Sequence, residues 1–338
     1  MSRCLVCVSR DEEKTYMGEG HAETDESIFA AAEKSLSLPS GDAVYSFEER
    51  AGHLLTEAMQ KLRNCTDATV VDYQVPWLSF ASQHSLGGFG NDQRFVTLPA
   101  PQFRGRPLVL IEPHCDDVAL SFVGTLLSWQ RPVVVVTLFN LSRTKDDKLP
   151  ISQQLTYKSI SYLRQAENEC GLGLGLGAKC LFLNEWEEPW PWGPPDTSRI
   201  ANLADRVAPL VDLANSEIAA PFGFSPHPDH FLARAVADQL GCNLYWEDIG
   251  FFREYSRCTE DREYGFDRWP GTYETNVISI DGYALQKMAI LTTYQSQMYP
   301  PARMMSLLRY HWAVARQAHR ECPNYNAGRF AERLYKGL

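Results

Sequence analysis

The chain has 338 residues, 44% of them hydrophobic, which is enough to bury a sizeable core. Its formal net charge of −10 argues against nucleic acid as the main partner, because phosphate binding needs a basic surface. No run of about 18 apolar residues is present, so we predict no membrane span. The nine cysteines mostly lack paired spacing, which is typical of free thiols in a reducing compartment, and we predict a cytoplasmic protein.

The first hundred residues carry no pattern that indicates a particular chemistry. We predict an N-terminal extension or small subdomain over residues 1–100, followed by one larger domain over residues 101–338. Within the first segment, apolar periodicity predicts a helix over residues 46–62, and an apolar run predicts a strand over residues 68–73.

From residue 107 onward, apolar runs alternate with segments of helical periodicity. This alternation is typical of a parallel sheet whose strands are joined by crossover helices. The sequence therefore predicts an α/β fold with a Rossmann-like, mostly parallel sheet and helices on both faces. The predicted strands are residues 108–112, 133–139, 179–183, 217–220 and 243–247. The predicted helices are residues 118–129, 152–171, 196–214, 231–239, 283–295 and 303–320.

Two further segments have both a functional and a structural interpretation. Residues 171–177 alternate Gly and Leu, but they follow a helix and lack the Lys-Ser/Thr ending of a phosphate loop, so we interpret them as a helix exit. Trp186, Trp190 and Trp192 lie in a proline-rich loop. They are either an exposed surface that stacks on sugar rings or a cover for the core.

The strongest functional signal is a pair of polar clusters, each of which follows an apolar run. The clusters are Pro113-His114-Cys115-Asp116-Asp117 and Pro226-His227-Pro228-Asp229-His230. In an open α/β sheet, sites assemble at the carboxyl ends of the strands, so the fold would bring the two clusters together. Two imidazoles and one carboxylate, with one coordination position open, are the ligand set of a hydrolytic zinc ion.

Roles follow from the chemistry of the side chains. The predicted metal ligands are His114, Asp117 and His230. The open position would hold a water whose pKa the metal lowers towards about 7. Asp116 is predicted to act as the general base. His227 is predicted to stabilise the oxyanion or to protonate the leaving amine, with Asp229 holding it in orientation.

The first cluster also has a purely structural interpretation. Asp116 or Asp117 could cap the helix that follows, in which case the cluster would be a polar turn. Gly124 in that helix indicates a closely packed neighbour that a larger side chain would crowd. The presence of the second cluster at an equivalent position favours the metal site.

At these two motifs the chain resembles the PIG-L/LmbE-like family of zinc-dependent N-acetylglucosaminyl deacetylases, and the resemblance covers residues 107–335. That family carries Pro-His-x-Asp-Asp after its first strand and His-x-Asp-His later. Arg164 and Glu167 match an Arg-x-x-Glu helix whose arginine lies near the substrate, so the resemblance implies that Arg164 binds substrate. Residues 245–248, 294–297 and 332–333 are similar to later signatures. Glu112 departs from the pattern, because a small or neutral residue is common there.

The resemblance implies a metal-dependent N-deacetylase that hydrolyses the acetamide of an N-acetyl amino sugar or glycoconjugate. Relatives act on glycolipid, thiol-cofactor and antibiotic precursors, so we predict a role in secondary-metabolite or cofactor biosynthesis. The implied cofactor is Zn²⁺, although Fe²⁺ could occupy the same ligands. One alternative is an amidase with the same metal centre, acting on a thiol conjugate or pseudo-disaccharide amide. Another is a non-catalytic sugar-binding protein, and assembly into a homo-oligomer is left open.

Overall fold

The computed structural model describes residues 105–144, 155–249, 269, 271–291, 293–294, 296–297, 302–321 and 328–338. The predictions made for residues 1–100, including the helix over 46–62 and the strand over 68–73, lie outside these residues. The division of the chain into two units therefore stays a prediction.

Seven strands form one mixed sheet. They are β1 (Leu108–Glu112), β2 (Val133–Thr137), β3 (Lys179–Phe182), β4 (Glu217–Pro221), β5 (Leu244–Trp246), β6 (Tyr273–Ser279) and β7 (Ala331–Gly337). Their order across the sheet is β3-β2-β1-β4-β5-β7-β6. Strands β1 to β5 run parallel, whereas β7 is antiparallel to both of its neighbours. The five predicted strands are thus confirmed, with small shifts at their ends.

Strands β6 and β7 were not predicted from the sequence. Charged residues interrupt the apolar pattern of β7, since Glu332 and Arg333 follow directly after its first residue. Both side chains are nevertheless buried, because each is paired inside the protein: Glu332 with Lys287 and Arg333 with Glu247. A buried charged residue whose ion-pair partner is distant in the chain produces no local pattern by which a strand can be predicted.

In the described part of the chain, seven α-helices connect and flank these strands. They are α1 (Asp117–Ser121), α2 (Val123–Trp129), α3 (Tyr157–Asn168), α4 (Ile200–Val207), α5 (Pro228–Gln239), α6 (Ala284–Leu291) and α7 (Ala302–Glu321). The hydroxyl of Thr156 accepts a hydrogen bond from the backbone N–H of Ser159 and so caps the start of α3. The predicted helix exit begins within a π-helical turn, Glu169–Leu174, in which Gly171 packs against Tyr294. Among the described helices, none combines the length and apolar character needed to cross a bilayer.

The helices cover both faces of the sheet, as predicted. Leu108 and Leu110 of β1 pack in a core cluster with residues of α1, α2, α6 and α7, whereas Val109 and Ile111 pack in a second cluster with α4 and α5. Because alternate side chains of a strand point to opposite faces, a strand covered on both sides needs a continuous apolar run. This requirement explains why β1 and β2 could be recognised from the sequence.

The single helix predicted over residues 118–129 is wrong, because the chain breaks at Phe122 into α1 and α2. A buried ion pair binds both ends of this break. The Lys287 ammonium donates to the carbonyl of Leu120 at 2.6 Å, and it lies 2.5 Å from Glu332 Oε1. The Glu332 carboxylate in turn accepts hydrogen bonds from the backbone N–H groups of Gly124 (3.0 Å) and Thr125 (2.7 Å). These N–H groups lie in the first turn of α2, where a helix offers them no acceptor of its own.

This contact explains the glycine in α2. A Cβ atom at position 124 would lie 2.8 Å from Glu332 Oε1 and 2.9 Å from Ile280 Cγ2. Both distances are shorter than ordinary van der Waals contact, so a larger residue would separate α2 from β7. The close packing expected at Gly124 is therefore present.

We predict that Gly124→Ala destabilises the fold by about 1–3 kcal/mol, because the added methyl group overpacks the contact with the buried pair. The free energy of unfolding from urea denaturation measures this. Gly282→Ala is the matched control, since its Cβ would meet no atom within 4 Å, and we expect a change within about 0.5 kcal/mol. Equal stability of the Gly124→Ala protein and the unsubstituted protein would contradict the packing described here.

Candidate metal centre and active site

The order of the strands places the two polar clusters side by side. Strands β1 and β4 pair in parallel, with Leu108 opposite Glu217 and Leu110 opposite Ala219. The chain then continues from β1 to one side of the sheet and from β4 to the other, so the loops after these two strands face each other at a topological switch point. The predicted convergence of the two clusters is found at this edge.

The three predicted metal ligands meet in space. The ligand atoms of His114, Asp117 and His230 all lie within 4.8 Å of one another. Asp117 is central, because its Oδ1 is 3.4 Å from His230 Nε2 and its Oδ2 is 3.3 Å from His114 Nδ1. The side chains of Asp117 and His230 are buried, whereas that of His114 is 14% exposed and leaves the group open on its side. Two nitrogens and one oxygen in this arrangement fit a zinc ion with a free position.

The charges around the two imidazoles also fit a cation. Burial lowers the pKa of His114, but hydrogen bonds to Asp117 and Asp229 outweigh it and hold the net pKa well above its usual value. The pKa of His230 is raised in the same way, because Asp117 and Asp248 outweigh the effect of burial. The neighbouring carboxylates therefore favour positive charge at both rings. A metal bound here would take the place of any proton on the ligating nitrogens, since a ligating imidazole must be neutral.

Asp248 lies behind the predicted ligand His230 and was not assigned a role from the sequence. Its Oδ1 lies 3.6 Å from His230 Nδ1, on the side of the ring away from Asp117, and its Oδ2 accepts the backbone N–H of Ser225 at 3.4 Å. A carboxylate behind a metal-bound histidine fixes the ring and raises its basicity. The sequence signals for this residue were its place in the signature-like segment 245–248 and its position just after β5.

Asp116 is not engaged in capping the helix. It occupies the N-cap position of α1, but its side chain makes no capping hydrogen bond. Its carboxylate is half-buried, and desolvation followed by the charge of Asp117 raises the pKa of Asp116 to about 6. The group is then ionised at neutral pH and has a pKa close to the working range of a general base. Asp117, by contrast, uses Oδ2 to accept the backbone N–H of His114 at 2.9 Å.

His227 is held by backbone rather than by a carboxylate. It is the N-cap of α5, and its Nδ1 accepts the backbone N–H of Asp229 at 3.2 Å, so the proton of the neutral ring belongs on Nε2. Burial lowers the pKa of His227, and the positive charges of His114 and His230 lower it further. The geometry therefore favours a neutral ring that donates a hydrogen bond through Nε2.

Asp229 lies closer to His114 than to His227. Its Oδ2 is 3.0 Å from His114 Nε2, accepts the backbone N–H of Glu188 at 3.0 Å, and is 3.8 Å from His227 Nδ1. The carboxylate expected to orient His227 thus forms its hydrogen bonds elsewhere. His114, His227 and Asp229 also form a second group whose ligand atoms lie within 4.8 Å of one another, so His114 is common to two possible ligand sets.

Arg164 lies beside the first cluster. It is almost fully buried on α3, its Nη1 donates to Ser142 Oγ, and it is 3.8 Å from Glu187 Oε2. Its positive charge lowers the pKa of Asp116, although desolvation of that carboxyl has the larger effect. Binding of substrate by Arg164 stays a prediction. Its partner in the motif, Glu167, accepts hydrogen bonds from the backbone N–H and the hydroxyl of Ser296. These contacts give Glu167 a structural role.

Glu112 adds less negative charge to the site than its residue type suggests. The carboxyl group is fully buried and contacts Thr137 Oγ1 at 2.7 Å and Asn168 Nδ2 at 2.6 Å. Burial raises the pKa of Glu112 to about 8, so the group is largely protonated at neutral pH. Its second oxygen accepts the backbone N–H of Val118 at 3.3 Å, which ties the end of β1 to the start of α1.

Solved structures resemble this fold although sequence comparisons do not detect a relative. No family model matches the chain, and no curated protein matches it either. The deacetylase Dbv21, which acts on the A40926 pseudoaglycone, is 16% identical over 70% of this chain and 98% of its own, with a TM-score of 0.51. The hydratase GalB from Pseudomonas putida KT2440 (16% identity, 70% and 96% coverage) has a TM-score of 0.48. The N,N′-diacetylchitobiose deacetylase from Pyrococcus horikoshii (16% identity, 70% and 86% coverage) has a TM-score of 0.44.

The first of these matches shows a shared fold. The predicted α/β architecture with a mostly parallel sheet is confirmed. At this identity the reaction has to be argued from the site itself.

We predict that Asp248→Asn weakens zinc binding by about 10- to 100-fold, because the His230 ring loses its charged support. Competition with a chromogenic chelator measures the dissociation constant. Asp212→Asn, an equal change of charge at an exposed position that contacts Asn215, is the control and should leave the affinity unchanged. Unaltered binding in the Asp248 variant would remove this residue from the metal centre.

Proposed function

We propose that the protein is a metal-dependent N-deacetylase of the PIG-L/LmbE-like family that hydrolyses the acetamide of an N-acetyl amino sugar. The observation that carries this proposal is the convergence of His114, Asp117 and His230 within 4.8 Å, beside an Asp116 carboxylate that makes no capping bond. The fold shared with a pseudoaglycone deacetylase supports it.

We propose Zn²⁺ as the cofactor, held by His114, Asp117 and His230, with Fe²⁺ as the other ion that suits these donors. When bound, zinc supplies a Lewis acid and a water of lowered pKa. This ligand set is favoured over the group of His114, His227 and Asp229, because it leaves His227 available for the substrate and keeps Asp229 as support for His114.

The residues around the ligands complete the hydrolysis. Asp116 takes a proton from the attacking water as the water oxygen bonds to the carbonyl carbon of the acetamide. The carbonyl oxygen then carries the negative charge, and His227 donates a hydrogen bond to it from Nε2. The C–N bond breaks as Asp116 returns the proton to the departing amine, which leaves acetate and a free amino sugar. A neutral His227 suits the role of donor to the oxyanion, and Asp116 is the group that carries the proton.

The substrate we propose is a small-molecule N-acetyl amino sugar or glycoconjugate from secondary-metabolite, antibiotic or cofactor biosynthesis, with Arg164 contributing to its binding. We also propose a cytoplasmic location. Cys115 and Cys242 are buried free thiols, which is the state favoured by a reducing compartment.

We predict that Asp116→Asn retains zinc but lowers kcat by about 10²- to 10⁴-fold, because the variant lacks the general base and keeps all three ligands. Acetate release from N-acetylglucosamine conjugates, combined with elemental analysis of the purified protein, measures both properties. Asp117→Asn is the matched variant and should lose the metal. Loss of zinc in the Asp116 variant, with retention in the Asp117 variant, would show that the two roles are reversed. Absence of metal from the unsubstituted protein, even after reconstitution, would contradict the proposed function.

We predict that His227→Ala lowers kcat by about 10²- to 10³-fold and retains zinc, because one donor to the oxyanion is removed. His227→Gln should recover part of the rate, since its amide can donate a hydrogen bond. The same acetate assay and metal analysis apply. Loss of zinc from the His227 variant would instead favour the second ligand group, and an unchanged rate would remove His227 from the mechanism.

A further inference from the structure

Aromatic rings continue from the metal centre to the protein surface. The ring centroids of His114 and His227 are 4.8 Å apart, those of His227 and Trp192 are 4.3 Å apart, and those of Trp192 and Trp190 are 5.0 Å apart. Exposure rises from His227 to the outer tryptophan, since His227 is 6% exposed and Trp190 is 73% exposed. The rings therefore form one side of a path that begins at the predicted catalytic residues and ends in solvent.

The two tryptophans do not serve as a cover for the core. Neither belongs to the two hydrophobic clusters that fill the faces of the sheet. An indole ring left 73% exposed keeps most of its apolar surface in water, which is unfavourable unless a ligand covers it. Of the two interpretations of this loop, a cover for the core or an exposed surface that stacks on a ring, the structure thus supports the exposed surface.

The loop that carries the tryptophans is fixed to the active site. The backbone N–H of Glu188 donates to Asp229 Oδ2 at 3.0 Å, and the Glu188 carboxylate accepts from Arg199 at 3.1 Å. One residue earlier, the backbone N–H of Glu187 donates to the carbonyl of Leu141 at 2.9 Å, just beyond β2. These bonds set the position of the indole rings relative to the metal ligands, as a preformed binding surface requires.

The shape and charge of the surface indicate the kind of group it binds. Trp190 and Trp192 meet edge to face at 84°, so they form a corner with two apolar walls. The acidic side chain beside them, Glu188, is neutralised by Arg199. An uncharged ring with an apolar face fits such a corner, and both the C–H face of a pyranose and an aryl group have this chemistry.

We propose that Trp190 and Trp192 form a subsite for the second ring of the substrate, next to the ring that carries the acetamide. The inference rests on the proposed deacetylase function and extends it to a substrate class: glycosides with a further sugar or aryl ring, in preference to free N-acetyl monosaccharides. Trp192, in contact with His227, lies at the junction of the two rings, and Trp190 binds the outer one.

We predict that Trp190→Ala lowers the ratio of kcat/KM for a two-ring substrate to that for free N-acetylglucosamine by about 3- to 10-fold, the size expected for loss of one aromatic contact. A β-1,4-linked dimer of N-acetylglucosamine tests a sugar ring, and p-nitrophenyl N-acetyl-β-glucosaminide tests an aryl ring. A fall for either one supports the subsite and identifies its ligand. Trp190→Phe should restore most of the ratio.

Trp186→Ala is the matched control, because Trp186 lies in the same loop and is 39% exposed, but contacts Arg143 instead of the ring series. The ratio should not change in this variant. An equal fall in the Trp186 and Trp190 variants would show a general effect of the loop and overturn the subsite, as would an unchanged ratio in the Trp190 variant.

Binding measurements separate the subsite from the proposed reaction. Calorimetry with the Asp116→Asn protein gives the dissociation constants of the dimer and of the aryl glycoside, with and without Trp190→Ala. Binding that depends on Trp190, together with no acetate release by the protein that keeps Asp116, would support the subsite and contradict the deacetylase function. Acetate release by that protein, together with binding that does not depend on Trp190, would support the deacetylase function and contradict the subsite. Failure of the protein to bind either two-ring ligand would overturn the subsite.

Discussion

The parallel pairing of β1 with β4 is the constraint on which the candidate site depends. These two strands are far apart in the chain but adjacent in the sheet, and the chain leaves them towards opposite sides. A crevice between their carboxyl ends follows from this topology. The polar clusters occupy the two walls of that crevice. A shift of the pairing by one residue would turn alternate side chains to the other face and separate His114 from His230, so the packing of the β1 side chains on both faces indirectly maintains the geometry of the candidate site.

Charge is the second organising feature of the site. The imidazoles of His114 and His230 are each placed between two carboxylates, and both rings have raised pKa values in the absence of metal. The carboxylates would repel one another if no positive charge lay between them, so burial of the group requires that the rings or a bound ion carry such charge. Asp229 lies beside His114 and Asp248 beside His230. Both carboxylates would supply negative charge that favours a divalent ion at this position and would support the rings that hold it.

A buried ion pair stabilises the two helices that follow the first polar cluster. Lys287 and Glu332 come from α6 and β7, yet they bind the carbonyl and N–H groups exposed at the break between α1 and α2. Because α1 begins with Asp117, this distant pair helps to set the direction of the helix that carries a predicted ligand. The antiparallel end of the sheet thus contributes to the site although it lies several strands away from the metal centre.

The sequence by itself determined the parallel strands, most helices and the two clusters that form the candidate metal site, since apolar runs and local motifs directly reflect burial and ligand chemistry. Only the tertiary structure decided the break at Phe122, the strands β6 and β7, and the position of Asp248 behind His230. It also placed the Asp229 carboxylate against His114 instead of His227. These features depend on hydrogen bonds and ion pairs between residues far apart in the chain. Such pairings have no periodicity in the sequence, because each partner is specified by its position in the fold and not by its neighbours along the chain.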